Sequence, residues 1–204
     1  MSRYRGPRIR LIRKLGDLPA FTTKTTNRSY PPGQHGPSKA SKKSSLSEYG
    51  IRLQEKQKLR YNYGVSEKQL FSYVKEARRL PGATGTLILQ LLEMRLDNVI
   101  FRLGFAPTLP AARQLVNHGA IYVNGRRVDI PSFQCKVNDI INVSRKTNVR
   151  QLVTDNLTKS QQILPTFLEH DENTLSGKVL RIAERDDVHL LINELLIVEF
   201  YSRK

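Results

Sequence analysis

The sequence has almost no cysteine. Cys135 is the single cysteine among 204 residues, which excludes a disulfide framework and a cysteine pair with zinc-ligand spacing. The four histidines fall in different predicted elements, so we interpret them as polar surface residues and not as metal ligands. We therefore expect a protein of a reducing compartment that holds no metal or other cofactor.

Long apolar segments are also absent. No run approaches the roughly 20 apolar residues that span a bilayer. The N-terminal region has no apolar core of the kind found in signal peptides. The sequence therefore predicts no membrane partner.

Acidic residues are scarce relative to basic ones. The chain has 34 lysines and arginines against 18 aspartates and glutamates, which gives a formal net charge of +16. Residues 1–60 carry a net charge of +12 and residues 61–150 of +7, whereas residues 151–204 carry −3. This distribution indicates a polyanionic partner at the basic end, and nucleic acid is the partner that such charge favours.

Cations dominate the first 14 residues, and a stretch rich in serine, threonine, glycine and proline follows. We interpret residues 1–45 as a basic, largely irregular arm that becomes ordered against its partner. Its cations can neutralise phosphates, and its arginine planes can stack on unpaired bases. The candidate RNA-binding residues here are Arg3, Arg5, Arg8, Arg10, Arg13 and Lys14.

A helical domain is predicted for residues 46–93. Ser45 and Glu48 have the spacing of a capping box that opens its first helix. Few carboxylates accompany the cations of this helix, so one side is expected to face phosphate. The candidates on this helix are Arg52, Lys56, Lys58 and Arg60. The apolar end of the chain, within residues 160–204, is expected to pack back and complete the domain.

Residues 94–159 are predicted to form a small module of two helices and a hairpin. Apolar residues repeat at helical spacing up to Gly104, and Thr108 is placed to cap the second helix. Asn124 and Gly125 are the strongest two-residue hairpin signal. Basic and amide side chains are expected on the outside, which makes candidates of Arg95, Arg102, Arg113, Gln114, Asn117, His118, Asn124, Arg126 and Arg127. Arg145, Lys146 and Arg150 are expected to keep the rim of the module positive.

Together these elements predict an α+β fold. The helical domain is built from the N- and C-terminal segments, and the small α/β module of two helices on a small sheet is inserted into it. The acidic end is expected to contact protein and not RNA. The candidate protein-partner residues are Glu184, Asp186, Asp187, Leu195 and Phe200.

Several motifs support a family resemblance. The strings R-L-D-N at 95–98, A-R-Q-L-V-N-H-G at 112–119 and V-N-G at 123–125 closely resemble the RNA-binding module named after small-subunit ribosomal protein four. The opening R-Y-R-G-P-R, the string P-G-Q-H-G at 32–36 and the C-terminal string resemble the plastid and cyanobacterial form of that protein family.

The resemblance implies a structural constituent of the small ribosomal subunit that binds its ribosomal RNA, nucleates assembly of the subunit body and contributes to decoding accuracy. It also implies that Lys39, Lys42 and Lys43 approach the messenger RNA entry path, and that ribosomal protein five is a neighbour. The plastid-like opening and the absence of a transit peptide predict synthesis and function in the plastid stroma. The alternative location is a cyanobacterial cytoplasm.

Other RNA-binding classes carry the same module. It occurs in tyrosyl-tRNA synthetases, in ribosomal RNA pseudouridine synthases and in a stand-alone ribosome-binding heat-shock protein. Arg95-Leu96-Asp97 matches the R-L-D motif of pseudouridine synthases, whose aspartate is the nucleophile. Here the motif opens a helix inside the binding module, where Asp97 is interpreted as a carboxylate favoured by the helix dipole. No enzymatic activity and no small-molecule substrate are therefore predicted.

Overall fold

The structure, a computed structural model, describes residues 4–28, 30–41, 47–159, 163–171, 174–188 and 190–202. The helices are α1 (Arg8–Leu15), α2 (Gly36–Ser41), α3 (Glu48–Asn62), α4 (Glu67–Ala77), α5 (Thr84–Glu93), α6 (Leu96–Arg102), α7 (Leu109–Asn117), α8 (Thr147–Lys159) and α9 (Glu194–Ser202). The strands are β1 (Ile121–Val123), β2 (Arg126–Arg127), β3 (Ile140–Val143), β4 (Leu168–Asp171) and β5 (Ser176–Val179).

The chain forms two compact units. One consists of Met1–Gly85 with Leu190–Lys204, and the other is Thr86–His189. We call them the helical unit and the sheet unit. This arrangement confirms the predicted α+β fold, in which the two ends of the chain build one unit and the second is inserted between them in sequence.

The helices of the helical unit begin where capping residues allow. The Ser47 side chain accepts a hydrogen bond from the Gly50 amide at the start of α3. The predicted cap, Ser45, lies outside the described residues. Ser66 and Gln69 form a capping box at the start of α4. The C-terminal helix α9 packs against α3 and α4, as expected from its apolar sequence.

The N-terminal arm contains more structure than predicted. Helix α1 is amphipathic, and Leu15, Leu18 and Phe21 form a buried cluster against which Tyr61 of α3 packs. The prediction of a largely irregular segment missed the helical spacing of Leu11 and Leu15 among the many cations. Amphipathic spacing, and not net charge, decides the structure of this segment.

The sheet unit contains an antiparallel sheet, whose strand order within the described residues is β2-β1-β3-β5-β4. Helices α6, α7 and α8 belong to the same unit. Asn124 and Gly125 both have positive φ, 50° and 79°, which is the backbone of the predicted two-residue hairpin. Thr108 caps α7 by accepting a hydrogen bond from the Ala111 amide at 3.4 Å. Buried residues of α6 and of the central strands face the core, among them Ile100 and Ile141.

The assignment of residues 160–204 to the helical domain was wrong for most of its length. Strand β5 pairs with β3 as well as with β4, so the sheet extends to Val179. The boundary between the units lies near residue 189. Hydrogen bonds between distant backbone segments, which no local periodicity shows, place β4 and β5 in the sheet.

Two general properties of the described residues bear on function. None of the helices in this part of the chain is both long and apolar enough to cross a membrane. The same residues contain no group of three or more His, Cys, Asp or Glu side chains arranged to hold a metal ion.

Candidate nucleic-acid interface

Helix α7 and the hairpin that follows carry several of the module's exposed polar residues. Gln114, Asn117 and His118 are exposed at the C-terminal half of α7. Arg126 and Arg127 are exposed on β2, and the described part of the chain offers neither of them a carboxylate partner. These five predicted RNA-binding residues are available to a ligand.

Arg127 is held against the end of α7. Gly119 ends the helix with φ of +65°, and a Cβ atom at this position would collide with the Arg127 guanidinium. The guanidinium therefore lies directly over the glycine backbone. A Cβ at position 119 would displace this guanidinium, and the positive φ itself favours glycine here.

Asn124 has a structural role in the hairpin. Its amide nitrogen donates to Asp139 Oδ1 at 2.8 Å, and its carbonyl oxygen accepts from the Ile140 amide at 2.9 Å. The Asp139 carboxylate also accepts from the Lys136 amide. The Asn124 side chain therefore ties the hairpin to the start of β3. Asn124 is also exposed, so its role as an RNA contact stays a prediction.

The predicted RNA contacts Arg95 and Arg113 are buried. The Arg95 side chain is 0% exposed and forms two hydrogen bonds with the Asp97 carboxylate, at 3.0 and 2.7 Å. Arg113 of α7 donates to the same carboxylate at 3.2 and 2.7 Å. Asp97 thus joins two arginines inside the core. We call Arg95, Asp97 and Arg113 the arginine–aspartate core.

The buried carboxylate of Glu93 binds Arg102 of α6, another predicted RNA contact. Glu93 is fully buried and accepts from Arg102 Nε at 3.1 Å and from Arg102 Nη2 at 2.7 Å. Asn98 donates to the same carboxylate and to the Glu93 backbone. The polar face of α6 that was predicted to meet RNA is therefore turned inward, because buried acceptors satisfy its donors.

Three of the four candidate cations of α3 are paired with carboxylates, contrary to the prediction. Arg52 bonds Glu48 and Glu199, and Lys58 bonds Glu55. Lys56 is buried at 5% exposure and bonds both oxygens of Glu67. The carboxylates lie on three helices. More carboxylates therefore contact the cations of α3 than the sequence of α3 itself contains.

Lys56 belongs to a small buried cluster that holds α9. Its ammonium lies 4.5 Å from the centre of the Phe200 ring, and Tyr201 donates its hydroxyl to Glu67 at 2.9 Å. Burial alone would raise the pKa of Glu67, but hydrogen bonds from Lys56 and Tyr201 outweigh it and hold that pKa below its usual value. We call these four residues the α9 clamp.

Arg60 is the fourth candidate of α3. Its guanidinium lies over the Tyr61 ring at 4.5 Å, and its side chain is only partly exposed. Of the α3 candidates, it is the one without a carboxylate hydrogen bond in the described part of the chain.

The arm presents some of its cations and uses others internally. Arg5, Arg10 and Lys14 are exposed. Arg13 donates to the carbonyl oxygens of Tyr30 and Pro31 at 3.0 and 3.1 Å and stacks on the Tyr30 ring. Arg8 donates to the Phe21 carbonyl at 3.5 Å. Arg3, Lys42 and Lys43 lie outside the described residues, as does the side chain of Lys39.

Two exposed arginines were missed by the sequence analysis. Arg78 and Arg79 follow α4 directly, are exposed, and have no carboxylate partner among the described residues. The signal was their position next to Pro81-Gly82, outside the apolar stripe of the helix. Arg145 and Lys146 are likewise exposed, as predicted for the rim of the module.

The candidate protein-partner residues differ in exposure. Glu184, Asp186 and Leu195 are exposed. Asp187 is buried, where burial alone would raise its pKa. Hydrogen bonds from the Glu184 amide, Thr166 and Arg181 outweigh burial and lower it. Phe200 is buried in the α9 clamp, so Asp187 and Phe200 are corrected to structural residues.

The fold and the surface define a class of protein. A small α/β module with a rigid core presents exposed cations and amides from α7 and the β1–β2 hairpin, and a helical unit presents further cations from its arm. This combination is that of a nucleic-acid-binding protein whose surface positions a phosphate backbone.

Comparisons with known proteins identify the family. The model described as "Ribosomal protein S4/S9 N-terminal domain" matches residues 3–93, and the model described as "S4 domain" matches residues 94–141. The chain is similar over its whole length to proteins named small ribosomal subunit protein uS4. It is 59% identical to the one from Synechococcus elongatus and 60% to the one from Thermosynechococcus vestitus, with all of each chain covered. It is 57% identical to uS4c of Oltmannsiellopsis viridis, again with both chains fully covered. The chain belongs to the ribosomal protein S4 family.

Proposed function

We propose that this chain is a structural constituent of the small ribosomal subunit and binds small-subunit ribosomal RNA directly. The observation that carries this conclusion is the match to uS4 proteins over the full length of both chains. The uneven charge supports it, because the basic segments coincide with the arm and the module that present unpaired cations.

The mechanism rests on phosphate neutralisation and on shape. The exposed cations without a carboxylate partner in the described part of the chain include Arg5, Arg10, Lys14, Arg78, Arg79, Arg126, Arg127, Arg145 and Lys146. Each phosphate that they neutralise releases condensed counterions, which makes binding tight at low salt and weak at high salt. Of these cations, Arg126, Arg127, Arg145 and Lys146 lie on the module that the arginine–aspartate core and the hairpin make rigid, so the module can set its register on a folded RNA.

An RNA-modifying enzyme is the main competing function. In pseudouridine synthases an aspartate attacks the substrate, whereas Asp97 is 0% exposed and is bound by two arginines. A carboxylate in this environment cannot reach a base. The geometry of Asp97 therefore argues against an enzyme that uses this residue as its nucleophile.

The proposal extends to location and neighbours. Similar proteins come from cyanobacteria and, as uS4c, from Oltmannsiellopsis viridis, which supports a plastid or cyanobacterial ribosome. We place this chain in the plastid stroma, with the cyanobacterial cytoplasm as the alternative. Lys39, Lys42 and Lys43 are proposed to approach the messenger RNA entry path.

A protein neighbour is proposed for exposed apolar residues of the helical unit. Leu191 is 92% exposed and Leu195 is 67% exposed, and Tyr49 of α3 is 63% exposed where its ring meets Phe200. Exposed apolar groups of this size favour a protein contact. Ribosomal protein five is the proposed neighbour of these apolar residues. Glu184 and Asp186, which are exposed in the sheet unit, are proposed separately as polar contacts to protein. The contact is proposed to influence decoding accuracy, and RNA binding to nucleate subunit assembly.

Binding to purified RNA tests this function. The protein is expected to bind a small-subunit ribosomal RNA transcript far more tightly than a large-subunit transcript of equal length. Filter binding across a series of salt concentrations measures both affinities. Equal affinity for the two transcripts at every salt concentration would contradict the proposal.

A further inference from the structure

A groove lies beside the C-terminal half of α7 and is bounded on its other side by α8. Its volume is about 720 Å³, within the range of roughly 300 to 1,000 Å³ typical of ligand pockets. Small residues line part of it, including Ala106, Ala111 and Gly119. All of its lining residues belong to the sheet unit, so the groove is complete within one compact unit.

Four polar side chains line the groove with uncommitted hydrogen-bonding groups. Gln114 and His118 come from the end of α7, Lys146 directly precedes α8, and Asn148 lies in its first turn. All four are exposed, and their side chains have no hydrogen-bond partner in the described part of the chain. Hydrogen-bond donors and hydrogen-bond acceptors are therefore both available to a ligand.

The groove also has an apolar strip. This strip consists of Leu115, Val149 and Leu152. The apolar side chain of Leu152 is 49% exposed to solvent. An apolar strip between hydrogen-bonding groups suits the face and the polar edge of a nucleobase. The same pattern does not suit a free inorganic ion, which offers no flat apolar face.

Charge at the groove selects an anionic ligand. Lys146 lines it, and no carboxylate is found among the described residues that do so. The Arg127 guanidinium packs against Gly119, which is itself a lining residue. A ligand whose base lies on the apolar strip would therefore place its phosphate near one or two cations.

We propose that this groove binds one unpaired nucleotide of the ribosomal RNA, with the base on the apolar strip and a phosphate beside Lys146. The proposal rests on the RNA binding proposed above. It adds a specific contact to a surface that otherwise holds the RNA through phosphates. Unstacked bases are the usual targets of sequence-dependent RNA recognition, because their edges and faces are accessible.

A pair of tryptophan variants tests the groove. Asn148→Trp fills it without a change of charge. Thr154→Trp is the control, since Thr154 is exposed on the same helix and does not line the groove. Asn148→Trp is expected to weaken binding to the small-subunit transcript by roughly tenfold or more, the effect of losing one stacked base. Thr154→Trp is expected to bind like the wild type, and circular dichroism must show both variants folded.

The salt dependence separates the base from the phosphate. Asn148→Trp is expected to leave the slope of log K against log salt unchanged, because it removes no phosphate contact. Lys146→Gln is expected to lower that slope by about one. Photocrosslinking of thiouridine-substituted transcript to the wild-type protein is expected to attach an unpaired nucleotide to a lining residue.

Three results would overturn the proposal while wild-type RNA binding stands. The first is an unchanged affinity of Asn148→Trp, and the second is an equal loss in Thr154→Trp. The third is unchanged RNA binding by Asn148→Trp combined with failure to enter reconstituted subunits, which would assign the groove to a protein neighbour. Failure of the wild type itself to prefer the small-subunit transcript would instead contradict the proposed function.

Discussion

Arginines of one short module serve two opposite purposes. Arg95 and Arg113 are buried on Asp97, whereas Arg126 and Arg127 are exposed without a carboxylate partner in the described part of the chain. A buried guanidinium requires a buried anion, since an isolated charge inside the protein is strongly unfavourable. The location of carboxylates therefore decides which arginines hold the module together and which can meet RNA.

Removing the shared carboxylate should destabilise the module. Asp97→Asn leaves two buried guanidinium groups without their counter-ion, so the free energy of unfolding is expected to fall by about 3–5 kcal/mol. This replaces the modest loss expected from a helix-dipole role. Urea unfolding followed by circular dichroism measures the change, with exposed Asp129→Asn as the control. A loss below about 1 kcal/mol would contradict the role of the arginine–aspartate core.

Alanine variants of Gly119 and Gly125 distinguish the effect of backbone strain from the effect of displacing Arg127. Gly119 and Gly125 both have positive φ, so alanine at either should cost about 1–2 kcal/mol of stability. A Cβ would strike Arg127 at Gly119 but meets nothing within 4 Å at Gly125. Gly119→Ala is therefore expected to weaken RNA binding several-fold more than Gly125→Ala in filter-binding titrations. Equal losses of affinity would remove the positioning role from Gly119.

At the scale of elements, local signals predicted more of the fold than of the site. Thr108 and the Asn124-Gly125 turn act through neighbours in sequence, and each was recognised correctly. Arg113 lies 16 residues from its partner Asp97, and Glu199 lies 147 residues from Arg52. Such partners are brought together only by tertiary packing. The exposure of a cation therefore could not be inferred from helical spacing alone.

The α9 clamp should make the helical unit sensitive to acid. Because the folded pKa of Glu67 is lowered, its stabilising contribution is complete above the ordinary value of 4.5 and is lost as the pH falls through the lower folded pKa. Glu67→Gln is expected to be less stable than the wild type at pH 7, and the difference should shrink below pH 4.5. Thermal unfolding over a pH series measures this.

Glu76, an exposed residue of α4, is the control for the loss of one negative charge on this helix. Glu76→Gln should cost little stability at pH 7, because no clamp contact is broken. A difference between the wild type and Glu67→Gln that grew as the pH fell would contradict the clamp.

At the scale of the whole molecule, the net charge reverses sign along the chain, and two highly exposed leucines lie in the acidic segment. The net charge is +12 over residues 1–60 and −3 over residues 151–204, and highly exposed leucines occur near the C-terminal helix. RNA binding and protein contact are therefore expected to respond to different substitutions.

A charge placed on α9 tests that separation. Leu195→Glu should leave affinity for the small-subunit transcript unchanged and should increase misreading by reconstituted ribosomes, because it disturbs the proposed protein contact. Ile163→Glu, at a position 80% exposed in the other unit, is the control. Weaker RNA binding with normal accuracy in Leu195→Glu would reassign this surface to RNA.

The salt dependence of RNA binding tests most directly whether unpaired surface cations hold the ribosomal RNA. Arg126→Gln with Arg127→Gln should lower the slope of log K against log salt by about one to two, one for each phosphate that the variant no longer neutralises. Arg52→Gln, which removes a cation already paired with Glu48 and Glu199, should leave the slope unchanged. An unchanged slope in the double variant, or an equal decrease in Arg52→Gln, would contradict this account of the interface.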